Sequence, residues 1–301
     1  MHYLQLVRWP NLVLLFLLQY LLRYTMAGPI LDAQNLGLLL TDGEFALLSI
    51  SCVLIAAGGY VINDIEDVPI DRLNKPEKLI VSHSITRDQA YNLYLILTAL
   101  GIIGGFYLTF VKQYKYIGYL NAISAGLLYF YSTSYKCIPL VGNLIVSLLS
   151  ALAVFIVIIA EPFAREDEAV MLMIGVFMFF SFTTTLIREI IKDIEDIDGD
   201  LSCDCQTLAN SLGMKKSKWL VVVLSILLTL TLLTAQYYSR QWESLLPFLY
   251  VTVFIDIPLI LLIVQLMRSK DKHGFRKASN WLKLTMFTGV ISLLVFYYSF
   301  N

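Results

Sequence analysis

The sequence predicts an all-α membrane protein built from nine spanning helices. Three observations predict it. The 301-residue chain is 58% hydrophobic and only 15% charged, whereas soluble domains carry about 25% charged residues. Its mean hydropathy is +0.71. Its apolar residues also fall in runs of about 20, the length that crosses a bilayer as a helix.

The runs are 11–31, 45–63, 89–110, 117–134, 141–160, 169–190, 219–238, 245–266 and 282–300. The first follows Arg8 and Pro10 and lacks the short core and small-residue cleavage site of a signal peptide, so it reads as a retained helix. The second, sixth and eighth runs lead into long polar segments, 64–88, 191–218 and 267–281, which read as caps or lids. There is no long low-complexity stretch and no soluble domain, so residues 1–301 form a single polytopic domain. The formal net charge of −1 does not point to nucleic acid. Cys52, Cys137, Cys203 and Cys205 make no Cys-x-x-Cys pair and no secreted disulfide framework, and the Cys203/Cys205 pair reads as incidental.

Basic residues set the orientation, because cytoplasmic loops collect Lys and Arg. With the N-terminus in the cytoplasm, the inner segments hold Arg8, Arg72, Lys75, Lys78, Arg87, Lys136, Arg188, Lys192, Lys215, Lys216, Lys218, Arg268, Lys270, Lys272, Arg276 and Lys277. The outer segments hold Lys112, Lys115, Arg165 and Arg240. This predicts a multi-pass protein of the cell membrane with its N-terminus inside.

A repeat supports the same map. Asp64-Ile65-Glu66-Asp67 returns as Asp193-Ile194-Glu195-Asp196, and Asp71 returns as Asp200, always 129 residues on. The copies end the second and sixth runs. An even separation in helix number gives both the same orientation, as in parallel repeats about an axis near the membrane normal. Two pseudo-repeated four-helix halves follow, at about 1–140 and 141–266, with a ninth helix at about 282–300.

Residues three or four apart share a helix face. Asn63 and Asp67, Asp64 and Asp67, Asp193 and Asp196, and Asp196 and Asp200 are so spaced. Pro69 and Gly199 are expected to end the two helices beside the acids. Dense carboxylates repel one another unless a cation or a proton relieves them. Hard cations such as Mg2+ take carboxylate oxygens and leave positions for substrate phosphates, and Arg or Lys grips the remaining phosphate oxygens. A solvated acidic loop accounts for one cluster. It does not account for two copies with matched spacing, at helix ends on one membrane face, whose surroundings have diverged.

The chain resembles the UbiA superfamily of intramembrane prenyltransferases. The family's N-D-x-x-D-x-x-x-D motif reads here Asn63-Asp64, Asp67, Asp71, and its D-x-x-x-D motif reads Asp196, Asp200. Arg8-Trp9-Pro10-Asn11, Arg72-Leu73-Asn74-Lys75-Pro76 and Gly142-Asn143 match as well, so the resemblance covers nearly the whole chain. It implies nine helices around a central cavity capped by cytoplasmic loops. It implies Mg2+ as cofactor, a polyprenyl diphosphate as donor, and a lipid or aromatic acceptor among membrane lipids. Matching positions imply metal ligands Asn63, Asp64, Asp67, Asp71, Asp196 and Asp200. They imply a diphosphate grip of Arg72, Lys136, Lys192 and Arg188, and a catalytic set of Asp67, Asp71, Asp196 and Lys192. The stretch Arg188 to Asp200 with Thr207-Leu208-Ala209 is most similar to the digeranylgeranylglyceryl phosphate synthase branch. That branch adds a geranylgeranyl group to geranylgeranylglyceryl phosphate. An aromatic prenyltransferase of quinone synthesis is the alternative acceptor class. A divalent-cation transporter is the alternative of another kind, and it should carry polar residues through the bilayer. A CDP-alcohol phosphotransferase does not fit, because Asp196 to Asp200 does not continue as its motif does.

An allylic cation needs a dry cavity, and ring faces stabilise it; Tyr129, Phe130 and Tyr131 are the candidates, with packing the default. Two positions depart from many relatives: Ser82-His83 stands where they have Ser-Gly, and Asp204 where they have Gly. His83 is expected to serve the loop. Arg23 and Asp256 are charges inside predicted spans. Snorkelling accounts for Arg23, and a helix kinked at Pro258 accounts for Asp256. Glu161 and Glu166-Asp167-Glu168 are expected to be solvated, and Glu66 and Glu195 to support the site or point away.

Overall fold

A computed structural model describes residues 2–74, 76, 79–238 and 244–300. Lys75, Lys78 and Arg240 of the expected basic loops lie outside the described residues. The long helices are α1 (Trp9–Ala33), α2 (Asp42–Glu66), α4 (Arg87–Phe110), α6 (Val141–Ala160), α7 (Glu168–Ser202), α8 (Met214–Tyr238), α9 (Leu246–Arg268) and α10 (Lys272–Phe300). Two shorter ones are α3 (Val68–Asn74) and α5 (Ile117–Phe130). No strand forms among the described residues; Val81 and Ile85 make an isolated bridge.

Eight of these helices are long and apolar enough to cross a membrane. The ninth expected crossing, 117–134, is α5 continued by a π-helical turn, Tyr131–Tyr135. It is helical throughout, but its regular part has only 14 residues. Two further π turns lie at Leu22–Ala27 in α1 and Thr252–Asp256 in α9. All three wide turns fall at polar positions: Arg23, the run up to Lys136, and Asp256.

Helix starts follow local chemistry. Thr41 and Glu44 make a capping box at α2, and Thr86 and Gln89 make one at α4. Each satisfies two backbone amides that no helix can satisfy itself. The α2–α4 contact is close because Gly101 faces α2, where an added Cβ would stand 2.8 Å from the Ser51 carbonyl oxygen. Large apolar side chains such as Leu100, Ile103, Leu172 and Leu227 remain exposed, as lipid-facing positions require.

Of the two breaks expected beside the acids, the first occurs, since α2 ends at Glu66 and α3 starts at Val68, and the second does not. Pro69 sits in the first turn of α3, where its missing N–H costs nothing, and the Asp71 amide donates to the Asp67 carbonyl at 2.8 Å. Asp67 and Asp71 therefore keep helical spacing. Gly199 is buried inside α7, which runs on to Ser202. Thirty-five residues make α7 about 52 Å long, well beyond a hydrocarbon core of about 30 Å. The segments read as polar caps are thus largely helix extensions: α3 follows α2, α7 runs through 191–202, and α10 starts at Lys272.

Three apolar clusters hold the bundle. One, with Leu22, Leu31, Phe45 and Val157, packs the end away from the acids. A second joins α7 to α8, α9 and α10 through Ile187, Leu228, Leu259 and Leu282. A third, with Leu6, Val61, Ile65 and Ile85, underlies the first acid motif.

Candidate active site

Both acid motifs open onto one cavity of about 1380 Å3. Asn63, Asp64, Asp67 and Asp71 line it from α2 and α3, and Asp196 and Asp200 from the end of α7. Lys136, Lys192 and Arg188 line it too. Its body is apolar, with Leu14, Leu17, Val146, Leu149, Phe177 and Phe287 among its walls. The volume exceeds the roughly 300–1,000 Å3 of a small-molecule pocket, so a long apolar chain has room behind a polar mouth.

The first motif is held by two cations. Arg8 Nη2 donates to Asp64 Oδ1 at 2.6 Å, and its guanidinium lies 4.9 Å from the Tyr60 ring centre. Lys136 Nζ donates to Asp67 Oδ2, and Asn63 Nδ2 reaches the same oxygen at 2.7 Å. Burial alone would lower the pKa of Arg8 and of Lys136. Asp64 and Asp67 respectively more than reverse this, so both bases are held above their ordinary values and stay charged. Arg8 has the left-handed φ of 52° at the entrance of α1, a conformation uncommon for a non-glycine residue. Beside it, Asn11 Nδ2 donates to the Tyr60 hydroxyl at 3.2 Å.

The second motif has its own set. Asn143 Nδ2 donates to Asp193 Oδ2 at 2.9 Å. Glu189 accepts from Lys192 Nζ at 2.9 and 3.2 Å and from Arg188 Nη1 at 2.9 Å. Asp200 is buried at the last turn of α7. Its carbonyl accepts from the Cys205 amide at 2.9 Å.

Cys205 is joined to Cys137 in a disulfide, with Cα atoms 4.7 Å apart. This corrects the reading of Cys205 as incidental. The two residues lie 68 apart in sequence, a spacing that signals nothing, but their loops meet at the mouth. The bond ties the residue after Lys136 to the loop after Asp200. Cys203 is free.

Several other expectations are revised. Arg72 is exposed and does not line the cavity. Of the three ring candidates, Tyr131 lines the cavity, while Tyr129 and Phe130 are exposed and do not. His83 lines the mouth, with Nδ1 3.3 Å from Ser84 Oγ. Asp204 takes a φ of 54°, which explains why a glycine suits that position. Glu66 pairs with Arg87 at 3.5 Å and Glu195 with Arg276 at 2.9 Å, so both serve helix contacts.

Glu161 is not solvated and Arg23 does not snorkel. Each side chain is 1% exposed, and they face each other at 3.4 Å. Asp167 caps α7 by accepting from the Val170 amide at 2.8 Å. Asp256 is buried; its Oδ2 accepts from Gln236 Nε2 of α8 at 2.7 Å, while its Oδ1 has no hydrogen-bond partner among the described residues.

Arg8, Asn143 and Glu189 are contributors whose roles sequence reasoning missed. Each had a signal. Arg8 and Asn143 lie in the short matches Arg8 to Asn11 and Gly142-Asn143, and Glu189 is one and three residues from two bases on a helix.

Mg2+ is tested by the donor set. Among the described residues, no three His, Cys, Asp or Glu side chains converge into a metal cage. Mg2+ does not require one, since it commonly takes one or two carboxylates and completes its shell with water and substrate phosphates. Hard oxygens from two helix ends facing one cavity fit that habit.

A family profile described as the UbiA prenyltransferase family matches residues 12–295. The digeranylgeranylglyceryl phosphate synthase of Saccharolobus solfataricus is 34% identical over 242 residues, 80% of each chain. A solved structure of a digeranylgeranylglyceryl phosphate synthase superposes with a TM-score of 0.68 at 24% identity, covering 98% of this chain and 97% of that one. A UbiA homologue of Archaeoglobus fulgidus, solved with GPP and Mg2+ bound, superposes with a TM-score of 0.56 at 14% identity, covering 98% and 100%. These structures share the fold. With its two acid motifs at the mouth of an apolar cavity, and with the profile matched along nearly its full length, the chain belongs to the UbiA prenyltransferase family and is a membrane prenyltransferase.

Proposed function

We propose that this enzyme transfers a geranylgeranyl group from its diphosphate to the free glycerol hydroxyl of geranylgeranylglyceryl phosphate. The observation that carries the reading is the cavity itself: an acid-and-base mouth on an apolar body open to both motifs. The relatives at 34% identity, named digeranylgeranylglyceryl phosphate synthases, support the choice of acceptor. In the reaction the allylic C–O bond to diphosphate breaks, an ether C–O bond forms, and the hydroxyl proton leaves.

Asn63, Asp64, Asp67, Asp71, Asp196 and Asp200 would hold Mg2+. Bound there, the metal would neutralise charge on the leaving diphosphate. Lys136 and Lys192 hold diphosphate oxygens from two sides of the mouth. Asp67 keeps Lys136 charged and aimed, while Asn63 fixes the carboxylate that does so. The apolar walls take the prenyl tail and keep water from the allylic cation. Tyr131 offers it a ring face. The mouth faces the cytoplasm, as the basic loops favour. Residues 117–135 make the ninth crossing, completing halves of four helices at about 1–140 and 141–266.

The test uses purified protein with Mg2+, labelled geranylgeranyl diphosphate, and either geranylgeranylglyceryl phosphate or 4-hydroxybenzoate as acceptor. A diether product is expected. Asp67→Ala and Asp196→Ala should each cut its formation by about 10²–10³-fold or more, as loss of one transition-state charge stabiliser does. A prenylated aromatic as the only product would replace the acceptor. Neither product and no Mg2+-dependent diphosphate release would overturn the reading.

A further inference from the structure

A covalent bond spans the mouth between the two acid motifs. The Cys137–Cys205 disulfide starts one residue after Lys136 and ends five residues after Asp200. Lys136 is the base that donates to Asp67. It follows the π turn at the end of α5, and its amide donates to the Tyr131 carbonyl at 2.9 Å. The segment rests on α6 at Gly142, where an added Cβ would stand 3.1 Å from the Lys136 Cα and 3.1 Å from the Tyr135 carbonyl oxygen. Otherwise it is thinly packed: residues 133–135 and 137–140 are exposed. Segments with few buried contacts are where a protein opens locally.

The other end of the bond is anchored. Past α7, the amides of Cys203 and Cys205 both donate to the Asp200 carbonyl, at 3.2 and 2.9 Å. The Cys205 carbonyl accepts from Asn210 Nδ2 at 2.7 Å and from the Thr207 amide at 3.1 Å. Leu208 and Ala209 are buried in the apolar cluster that joins α7 to α8. The bond therefore ties the thinly packed segment that carries Lys136 to the firmly held cap of the last carboxylate. It is also open to attack from one side. Cys137 is exposed, whereas Cys205 is 1% exposed, so a thiolate from solvent meets the Cys137 sulfur.

We propose that the Cys137–Cys205 bond is a reducible clamp that positions Lys136 for the donor diphosphate, so that the state of these two cysteines sets donor affinity. This rests on the reading that Lys136 grips that diphosphate. With the bond closed, Lys136 is held beside Asp67 and across from Asp200. With the bond open, its segment keeps only the π turn and the Gly142 contact, and the grip loosens. The reductant is a dithiol. Its thiolate attacks the Cys137 sulfur, the S–S bond breaks, and Cys205 leaves as a thiolate that takes up a proton. The second thiol of the reductant then displaces Cys137 as a thiol and leaves the reductant as its own disulfide. Two electrons and two protons pass to the protein, and the reverse exchange closes the bond again. In the proposed orientation the mouth faces the cytoplasm, where thiols of this class reduce exposed disulfides. Donor use then falls as that thiol pool becomes more reducing.

The experiment uses the full-length protein in detergent, purified without reductant and compared before and after dithiothreitol. Maleimide labelling in denaturant counts thiols: two are expected before reduction, from Cys52 and Cys203, and four after it. Binding of geranylgeranyl thiolodiphosphate, a donor analogue that does not react, is measured with Mg2+ below every thermal midpoint. Reduction should weaken it about tenfold, the worth of one charge-assisted hydrogen bond, and the KM for the acceptor should hold. Cys137→Ser and Cys205→Ser should bind the analogue as the reduced wild type does and ignore dithiothreitol. Cys203→Ser should respond as the wild type does. Four thiols before reduction overturn the clamp. So does a reduction that lowers the thermal midpoint and leaves donor affinity unchanged, since the bond is then a structural staple only; in both cases the proposed function stands if diether is made. If the oxidised wild type neither binds the analogue nor releases diphosphate, the proposed function fails and the clamp falls with it.

Discussion

At the mouth, Asp67 meets Lys136 and Asn63 beside an open cavity. At the far end of the bundle, Arg23 and Glu161 meet with each side chain 1% exposed. Both are charge pairs between distant parts of the chain, and they are finished differently. Arg23 Nη2 donates to the Leu40 carbonyl, and its Cζ lies 4.4 Å from the Phe45 ring centre and 5.2 Å from that of Tyr24. Glu161 Oε2 accepts from the Leu39 amide at 2.6 Å. Arg23 Nε and Nη1 have no hydrogen-bond partner among the described residues, and ring faces stand in for one. Neither residue lines the cavity that holds the acid motifs. At the mouth, each base also faces a cavity where an anion can share it. A working charge is told from a structural one by what can still approach it.

The comparison breaks most sharply at Lys136. Lys136→Met should lower kcat/KM for diphosphate release by about 10²–10³-fold, the loss seen when one transition-state charge donor is removed. The thermal midpoint should hardly change, because water in the mouth solvates the released Asp67. A large fall in midpoint with normal kinetics would make Lys136 a structural residue like Arg23.

Arg23→Met should show the reverse. Removing one partner of a buried pair costs about 3–5 kcal/mol. The lower end applies here, because the stranded Glu161 can take up a proton. Thermal unfolding in detergent measures the loss, and the protein that stays folded should turn over normally. The double variant Arg23→Met with Glu161→Gln should recover part of the stability, since no orphaned charge remains.

The two ends also differed in how much of them the sequence revealed. The mouth was legible because its acids recur at a fixed offset and at helical spacing, so Asn63, Asp67, Asp196 and Asp200 could be named before any fold was in hand. All nine apolar runs proved helical because each is longer than most other structures allow. What stayed hidden was partnership across distance. Arg8 and Asp64 are 56 residues apart, Lys136 and Asp67 are 69, and Leu39 and Glu161 are 122. No periodicity links such positions. Gly199 misled because its helix-breaking tendency is weak inside a packed helix, and the break at Pro69 leaves Asp67 and Asp71 at helical spacing because Pro69 sits in the first turn of the next helix. Arg23 and Glu161 misled because a lone charge reads as snorkelling from within a span or as solvated beyond its end until a partner from another part of the chain is known.

The smallest effect tests the far pair by pH. Burial lifts the Glu161 carboxyl above the ordinary carboxylate range; the Leu39 amide and Arg23 pull it down without cancelling that rise. A carboxyl raised in the folded state contributes stability that is full below its unfolded pKa, about 4.3. That stability is lost as pH rises through the folded value. Other carboxylates titrate in the same window, so the informative quantity is the difference between wild type and Glu161→Gln. The wild type should lose stability relative to the variant as pH rises from about 4, and the difference should level off once Glu161 is ionised. A difference that grows in favour of the wild type with rising pH would mean that Arg23 outweighs burial. The far end would then be held by an ion pair in the full sense, and the contrast with the mouth would rest on access alone.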